Sequence, residues 1–389
     1  MIATLMLTAI LTAQTQTFTG TKTFASPPKI KALVQNDANT KVLTVNGTDI
    51  VQWRDVGSLL NTFNLKKPQD YGAVGDGVAD DTAAIQQCIN NNSAIALVGK
   101  YKTSSAINFK SNLFIISYGA IIENKLDFVK IIIANNINNF EIKGNLTLIG
   151  NGKYDNNTNV ISNTKVGLYL NNCFNYNIDG LKCIDIQGFG IWIDGTSFNL
   201  PDERTRKVIS NFSALNCYYG VQTYLTSRSS EYVEFVSVNI CNCNFGFTIV
   251  SGNITITGGN INNNNIGIYL ESQLNANGAH GIIDDLNVNH NVTNIMLVNV
   301  DLGQTISNCH FYGDALGSIV LNNCIGVNFS NCIIDGKIEA TTGSLAGKNI
   351  FSNCHLEPDV TINATSLAKV KFINCYNRNA TPYINNSSL

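Results

Sequence analysis

From about residue 165 onward the chain repeats itself at a short, drifting interval, and this repeat limits the fold more than any other feature of the sequence. One unit reads Gly, apolar, any residue, apolar: Gly167-Leu168-Tyr169-Leu170, Gly190-Ile191-Trp192-Ile193, Gly246-Phe247-Thr248-Ile249 and Gly267-Ile268-Tyr269-Leu270. Degenerate copies start at Gly220, Asn294 and Gly317. A second unit begins at Ile178, Ile209, Phe235, Ile256, Ile283, Ile306, Phe329, Phe351 and Phe372, at intervals of 31, 26, 21, 27, 23, 23, 22 and 21 residues. The two units stay in phase. A period settling near 21 to 23, with short apolar strands and Asn or Gly at the joints, describes a coil of β-strand rungs. Leucine-rich repeats have similar periods but need a Leu-dominated consensus and helical segments, which are missing here. The expected architecture is therefore an all-β solenoid in which one repeat position forms a column along the axis, one rung about every 4.8 Å.

The joints account for an unusual composition. Asn occurs 57 times in 389 residues, and eight of the eleven cysteines directly follow an Asn. Asn tolerates the left-handed conformation that a sharp corner needs, and stacked amides hydrogen-bond from rung to rung. Asn308, Asn331, Asn353 and Asn374 should form such a ladder, with Cys309, Cys332, Cys354 and Cys375 as an inward column beside it. That column reads as a metal or redox site or, the favoured alternative, as small apolar filling. No C-x-x-C pair occurs, so zinc and thioredoxin-like spacings are both missing. Cys241 and Cys243, two apart, would share a face if they lie on one strand. Free, buried thiols formed in a reducing cytoplasm are expected. The charge balance of 25 basic to 27 acidic residues gives no field favouring nucleic acid, and no apolar run is long enough for a membrane-spanning helix.

The N-terminal third differs. MIATLMLTAILTA has the apolar stretch of a signal peptide but no preceding positive charge, the first Lys being Lys22. It reads as well as a segment buried in an assembly. Thr15, Thr17, Thr19, Thr21 and Thr23 then alternate with the period of a strand. Further on, Ala84, Ile85, Cys88 and Ile89 fall on one face of a short helix with acidic residues at its N-terminus. This helix should plug the exposed mouth of the solenoid. The expected organisation is a stem or attachment region over 1–66, an opening segment with the capping helix over 67–92, and the solenoid over 93–389.

Asp70-Tyr71-Gly72-Ala73-Val74-Gly75-Asp76-Gly77-Val78-Ala79-Asp80-Asp81-Thr82, followed by Gly99-Lys100-Tyr101 and Tyr118-Gly119-Ala120, resembles the opening segment of pectate-lyase-like right-handed parallel β-helix proteins. Bacteriophage tailspikes and secreted polysaccharide-degrading enzymes share that segment. It spans residues 67 to 125 and specifies fold rather than reaction. Asp76, Asp80 and Asp81 read as turn and cap residues. The Thr-alternating segment and the stretch from Val42 to Arg54 resemble the repeats of phage tail-fibre stems. The resemblance implies a homotrimeric spike or fibre in the virion, assembled in the host cytoplasm and attached through residues 1–66 to other tail proteins. Such a spike would bind host surface polysaccharide. The alternatives are a secreted polysaccharide lyase or hydrolase and a purely structural virion protein.

Candidate chemistry follows charge placement. Hydrolysis of a glycan needs paired carboxylates about 5 to 10 Å apart. The polygalacturonase pattern is not met: Gly278-Ala279-His280-Gly281 with Asp284 and Asp285 has the wrong order and partners, leaving His280 as a rim residue. In a chain with only 13% charged residues, Asp202-Glu203-Arg204-Thr205-Arg206-Lys207 is conspicuous. It occupies the longest interval between rungs, and the next interval carries Arg228 and Glu231. Asp194 ends the preceding strand and points outward, because Ile193 points in. Asp194, Asp202, Glu203 and Glu231 are thus the candidate acids and bases, with Glu203 first and Asp194 second. Arg204, Arg206 and Arg228 are candidates for binding acidic sugar groups. An ion-pair network at a subunit boundary would use the same residues. Beside Asp194, Tyr169, Trp192, Gln222, Thr248, Tyr269 and Met296 should form an outward column, with Tyr169, Trp192 and Tyr269 suited to stack on sugar faces or to anchor a trimer interface. No cofactor or metal is implied.

Overall fold

The computed structural model describes residues 41–45, 51–55, 65–124, 126, 130–154, 165–195, 206–224, 231–250, 252–272, 279–301, 303–313, 318–341, 349–358, 360–362 and 364–377. Contacts divide the chain into Met1–Lys66 and Lys67–Leu389. In the first unit, Lys41–Val45 and Val51–Asp55 form an antiparallel pair with Leu43 opposite Trp53. The Thr-alternating segment lies outside the described residues.

The second unit is a right-handed parallel β-helix, the hand that parallel crossovers adopt. Every strand pair in it is parallel, and each coil contributes to three ladders. The first ladder runs from Ala94–Leu97 to Val370–Ile373, and the second from Asp76–Asp80 to Tyr376–Asn377. They fuse where Val233–Cys241, Asn253–Asn262 and His280–Asn289 pass through both. The third is a separate sheet of 11 strands.

The first two ladders meet at a corner one residue wide. Gly144, Gly180, Asn211, Ser237, Gly258, Asp285, Asn308, Asn331, Asn353 and Asn374 occupy it in successive coils, all with φ between +51° and +84°. In-register pairing of the residues before them, Ser307 with Ser330, Ser330 with Ser352 and Ser352 with Ile373, sets the last four in one column, as the sequence indicated. All eight Asn residues that precede a Cys have positive φ, and all eight following cysteines are buried. The Asn-Cys dipeptide is a corner followed by an inward step, and it serves all three corners of the coil. This corrects one expectation. Asn242 turns the chain between Cys241, which is half-buried at a strand end, and Cys243, which is buried, so the two do not share a face.

Inside, Phe235, Ile256, Ile283, Ile306, Phe329, Phe351 and Phe372 form one column, with Phe329 and Phe351 stacked at 4.6 Å and 4°. The thiols of Cys309, Cys332, Cys354 and Cys375 contact one another in sequence, and Cys332 and Cys354 are pushed up to about 12 by the neighbouring thiol and by burial. Buried throughout, the column is apolar filling. The leading glycine of the other repeat unit is required by close approach: a Cβ on Gly220 would lie 2.6 Å from the Gly246 carbonyl oxygen and 2.7 Å from Ile240.

The capping helix spans Thr82–Asn91 and buries Ala84, Ile85, Cys88 and Ile89. The acidic residues of the opening segment are all consumed by backbone or hydroxyl donors. Asp81, 1% exposed, accepts from the Val74 and Gly75 amides, and Asp76 accepts from Val78 and Ala79. Asp80 accepts from the Ser104 and Thr82 hydroxyls, which hold its carboxyl below the ordinary range.

Two outcomes are expected. Asn331→Ala should cost about 1–2 kcal/mol, the left-handed penalty of a residue with a Cβ, while Asn331→Gly recovers most of it; denaturant midpoints measure both. A carboxyl with a lowered folded pKa stabilises above the unfolded value of about 3.9 and loses that contribution as pH falls through the folded value. The melting-temperature difference between the parent chain and Asp80→Ala should therefore be full at neutral pH and should close in acid.

Candidate binding site on the outer face of the third sheet

The third sheet turns alternate residues outward, and parallel in-register pairing stacks them. Ile133, Tyr169, Trp192, Gln222, Thr248, Tyr269 and Met296 are successive partners, the column read from the sequence, which register continues to Asn108 at one end and through Val320 to Glu339 at the other. A second outward column runs beside it through Lys130, Val166, Phe189, Tyr219, Phe245 and Ile266. Together they make an aromatic face. Phe189 stacks on Tyr219 at 4.9 Å and Tyr219 on Phe245 at 5.1 Å, while Trp192 meets Tyr169 edge-on and Phe189 at a 30° tilt, both at 5.0 Å. The face is not freely open: Tyr169, Trp192 and Tyr269 are half-buried, and Gln222 and Thr248 are each 5% exposed.

Each end of this face holds a tyrosine–carboxylate pair. The Tyr169 hydroxyl donates to Asp194 Oδ2 at 2.9 Å, and the Tyr269 hydroxyl to Glu271 Oε2 at 2.9 Å. Lys130 Nζ lies 3.3 Å from the Tyr169 ring centroid and 5.3 Å from that of Trp192, a cation–π contact. Burial lowers the Lys130 pKa, with Asp194 opposing. Burial raises Tyr169 and Tyr269, their carboxylate partners add to the shift, and Tyr219 is pushed up to about 12 by burial. Lys130 was missed in the sequence because its copy of the repeat, Lys130-Ile131-Ile132-Ile133, has Ile where later copies have Gly.

Of the candidate acids, Asp194 is half-buried at the end of Phe189–Asp194, beside the Tyr169 hydroxyl. Glu231 is 5% exposed, its Oε2 accepting from the Asn253 amide and its carbonyl from Lys207 Nζ. Lys207 is itself 1% exposed, so this pair belongs to the corner's interior. Arg206 is exposed. Asp202, Glu203, Arg204 and Arg228 lie outside the described residues. Register places Asp194 opposite Tyr224 and Lys207 opposite Val233, so the strand ends that flank the two charged intervals are paired between adjacent coils. His280 opens a strand, and Asp284 accepts from Ser307 and Asn308, a corner role. Among the described residues no group of His, Cys, Asp or Glu is placed to hold a metal ion.

These features define the class: a right-handed parallel β-helix protein whose third sheet carries an aromatic outer face. No family model matches the sequence, and comparison with curated proteins finds no match. Solved structures share the fold. The mannuronan C-5 epimerase AlgE4 A-module of Azotobacter vinelandii is 16% identical with a TM-score of 0.53, covering 80% of this chain and 95% of that one. The bacteriophage phi29 gene product 12 N-terminal fragment is 17% identical with a TM-score of 0.50, covering 83% and 68%. The catalytic unit of a GH87 α-1,3-glucanase from Streptomyces thermodiastaticus is 13% identical with a TM-score of 0.50, covering 80% and 68%.

Raised tyrosines bind their protons more tightly folded than unfolded, so their contribution to stability is complete below about 10 and is lost as pH rises through the folded values. Ultraviolet titration should show a class of tyrosines ionising well above 10. In Asp194→Asn, Tyr169 should ionise at lower pH than in the parent chain, because a negative neighbour has been removed.

Proposed function

We propose that this chain is a virion component of the tail-spike or tail-fibre type that binds a host surface polysaccharide on the outer face of its third sheet. The observation that carries this is the in-register column of half-buried Tyr169, Trp192 and Tyr269 on a rigid sheet. Rings of that kind offer flat, large, low-entropy surfaces for sugar faces, and the rung spacing repeats them at the scale of a sugar polymer. The fold is shared with a phage tail protein and with polysaccharide-active enzymes, which agrees with this choice. Residues 1–66 would attach the chain to other tail proteins, and the assembly would be a homotrimer.

Cleavage is the second half of the proposal. Asp194, fixed on a strand and hydrogen-bonded by Tyr169, suits a nucleophile or base, and Glu203, further along the chain, would supply the acid; Asp202 and Glu231 come after them. Arg204, Arg206 and Arg228 would bind acidic sugar groups. The test is a screen of capsular and cell-wall polysaccharides for binding and for oligosaccharide release, with mass measured by ultracentrifugation. Binding by a trimer is expected. Asp194→Asn and Glu203→Gln should each lower release about 100- to 10,000-fold while adsorption persists. Release unchanged in both variants would place catalysis elsewhere, and a monomer that binds no polysaccharide would overturn the proposal.

A further inference from the structure

The three ladders present outer faces of different charge. At outward positions the third sheet carries Lys130, Asp194, Glu271 and Glu339, and the first ladder carries Glu141, Asp179, Glu234 and Lys371. The second ladder differs. One of its outward columns passes through Ser213, Asn239, Asn260 and Asn287 and continues through Ile333 to Tyr376. The column beside it runs from Ile149 through Leu215 to Tyr312. Over these stretches neither column holds an Asp, Glu, Lys or Arg in any coil. Lys100 and Lys182 share the first column but precede Ser213. Tyr312, Ile333 and Tyr376 are exposed on the same face, which gives it apolar area to bury.

We infer that this uncharged face of the second ladder, from the coil of Ser213 to that of Tyr376, is where copies of this chain meet around a common axis. The inference rests on the homotrimer of the function given above and adds the surface that its copies share. Rotation about an axis parallel to the solenoid sets each coil beside the same coil of its neighbours, so a residue facing the axis meets its own image. A fixed charge there would meet its own sign, which opposes association strongly. Asparagine escapes this, because its amide can donate to one image and accept from another. Ile333 and Tyr376 add apolar contact. The third sheet and the first ladder fail the same requirement at their charged positions and are left facing outward, so the aromatic face stays open to a ligand. Asp285, exposed at the corner that borders the second ladder, falls where an interface has its polar rim.

The experiment is cross-linking of the full chain by a short bismaleimide, in a Cys241→Ser background that leaves only buried thiols. Asn287→Cys adds a thiol on the second ladder, and Asn328→Cys adds one on the first. Sedimentation velocity gives the mass of each chain before linking. Asn287→Cys should yield covalently joined copies on denaturing gels, and Asn328→Cys none. Without the linker, Asn287→Lys should lower the temperature at which the copies separate. Co-expression with Asn287→Asp should bring that temperature back, a recovery that a folding defect would not show. Links from Asn328→Cys, or an oligomer with no links from Asn287→Cys, overturn the inference while the homotrimer stands. A monomer at every concentration overturns both, and polysaccharide binding is judged apart from either by the screen above.

Discussion

The whole solenoid depends on turning the backbone through a corner in one residue, and the left-handed region is where that turn can be made. Most residues with a Cβ resist it by about 1–2 kcal/mol. Fifteen of the twenty non-glycine residues with positive φ in the described structure are Asn. The side chain also explains why amides outnumber acids. Residues at one repeat position recur about every 4.8 Å, where a row of carboxylates would repel itself. An amide both donates and accepts, so Asn175 can bond Asn139 and Asn139 bond Asn112 without accumulating charge. Where an acid does occur, it takes donors from the next coil: Asp179 from Ser210 and Asn211, Asp185 from Asn216, and Asp284 from Ser307 and Asn308. The low charge of the chain is thus a property of stacking rather than of its surroundings.

The periodic parts of the molecule were legible in the amino-acid order because each column is the same local problem solved once per coil. Asn308, Asn331, Asn353 and Asn374 were placed by spacing alone, as were Tyr169, Trp192 and Tyr269 and the buried face of Thr82–Asn91. What spacing could not supply was cover. Gln222 and Thr248 point outward as their register demands, yet both are enclosed, and nothing in a two-residue alternation distinguishes an outward residue in water from one beneath other groups. Glu231 was hidden for a related reason: the corner that holds it has no repeat, so its burial beside Lys207 leaves no pattern. Cys241 and Cys243 misled because two-residue spacing means one face only on an uninterrupted strand.

The aromatic face is set apart by its support. Its residues stand on strands whose inward neighbours, among them Leu168, Ile191, Val221, Phe247 and Ile268, are essentially inaccessible to water. Side chains mounted on such a lattice have little freedom left to lose, so a contact made there would carry little ordering cost. The tyrosine–carboxylate pairs at either end fix the rotamers of the terminal rings in the same way. Rigidity comes from the interior, and chemistry stays on the outside.

The three corners differ in how much chain they accept. Between the first two ladders one left-handed residue makes the turn, and an added residue there would invert the inward and outward positions of everything that follows. Between the third sheet and the first ladder the chain spans intervals of unequal length, from Asn171 to Phe174, from Tyr224 to Val233 and from Asp194 to Lys207. Insertions and deletions are therefore filtered by geometry, rejected along one edge and admitted along another. A lineage of such proteins could exchange whole segments of chain along that edge in single genetic events while its core drifted slowly. Diversification would be concentrated where it meets the outside world and would leave the scaffold almost untouched.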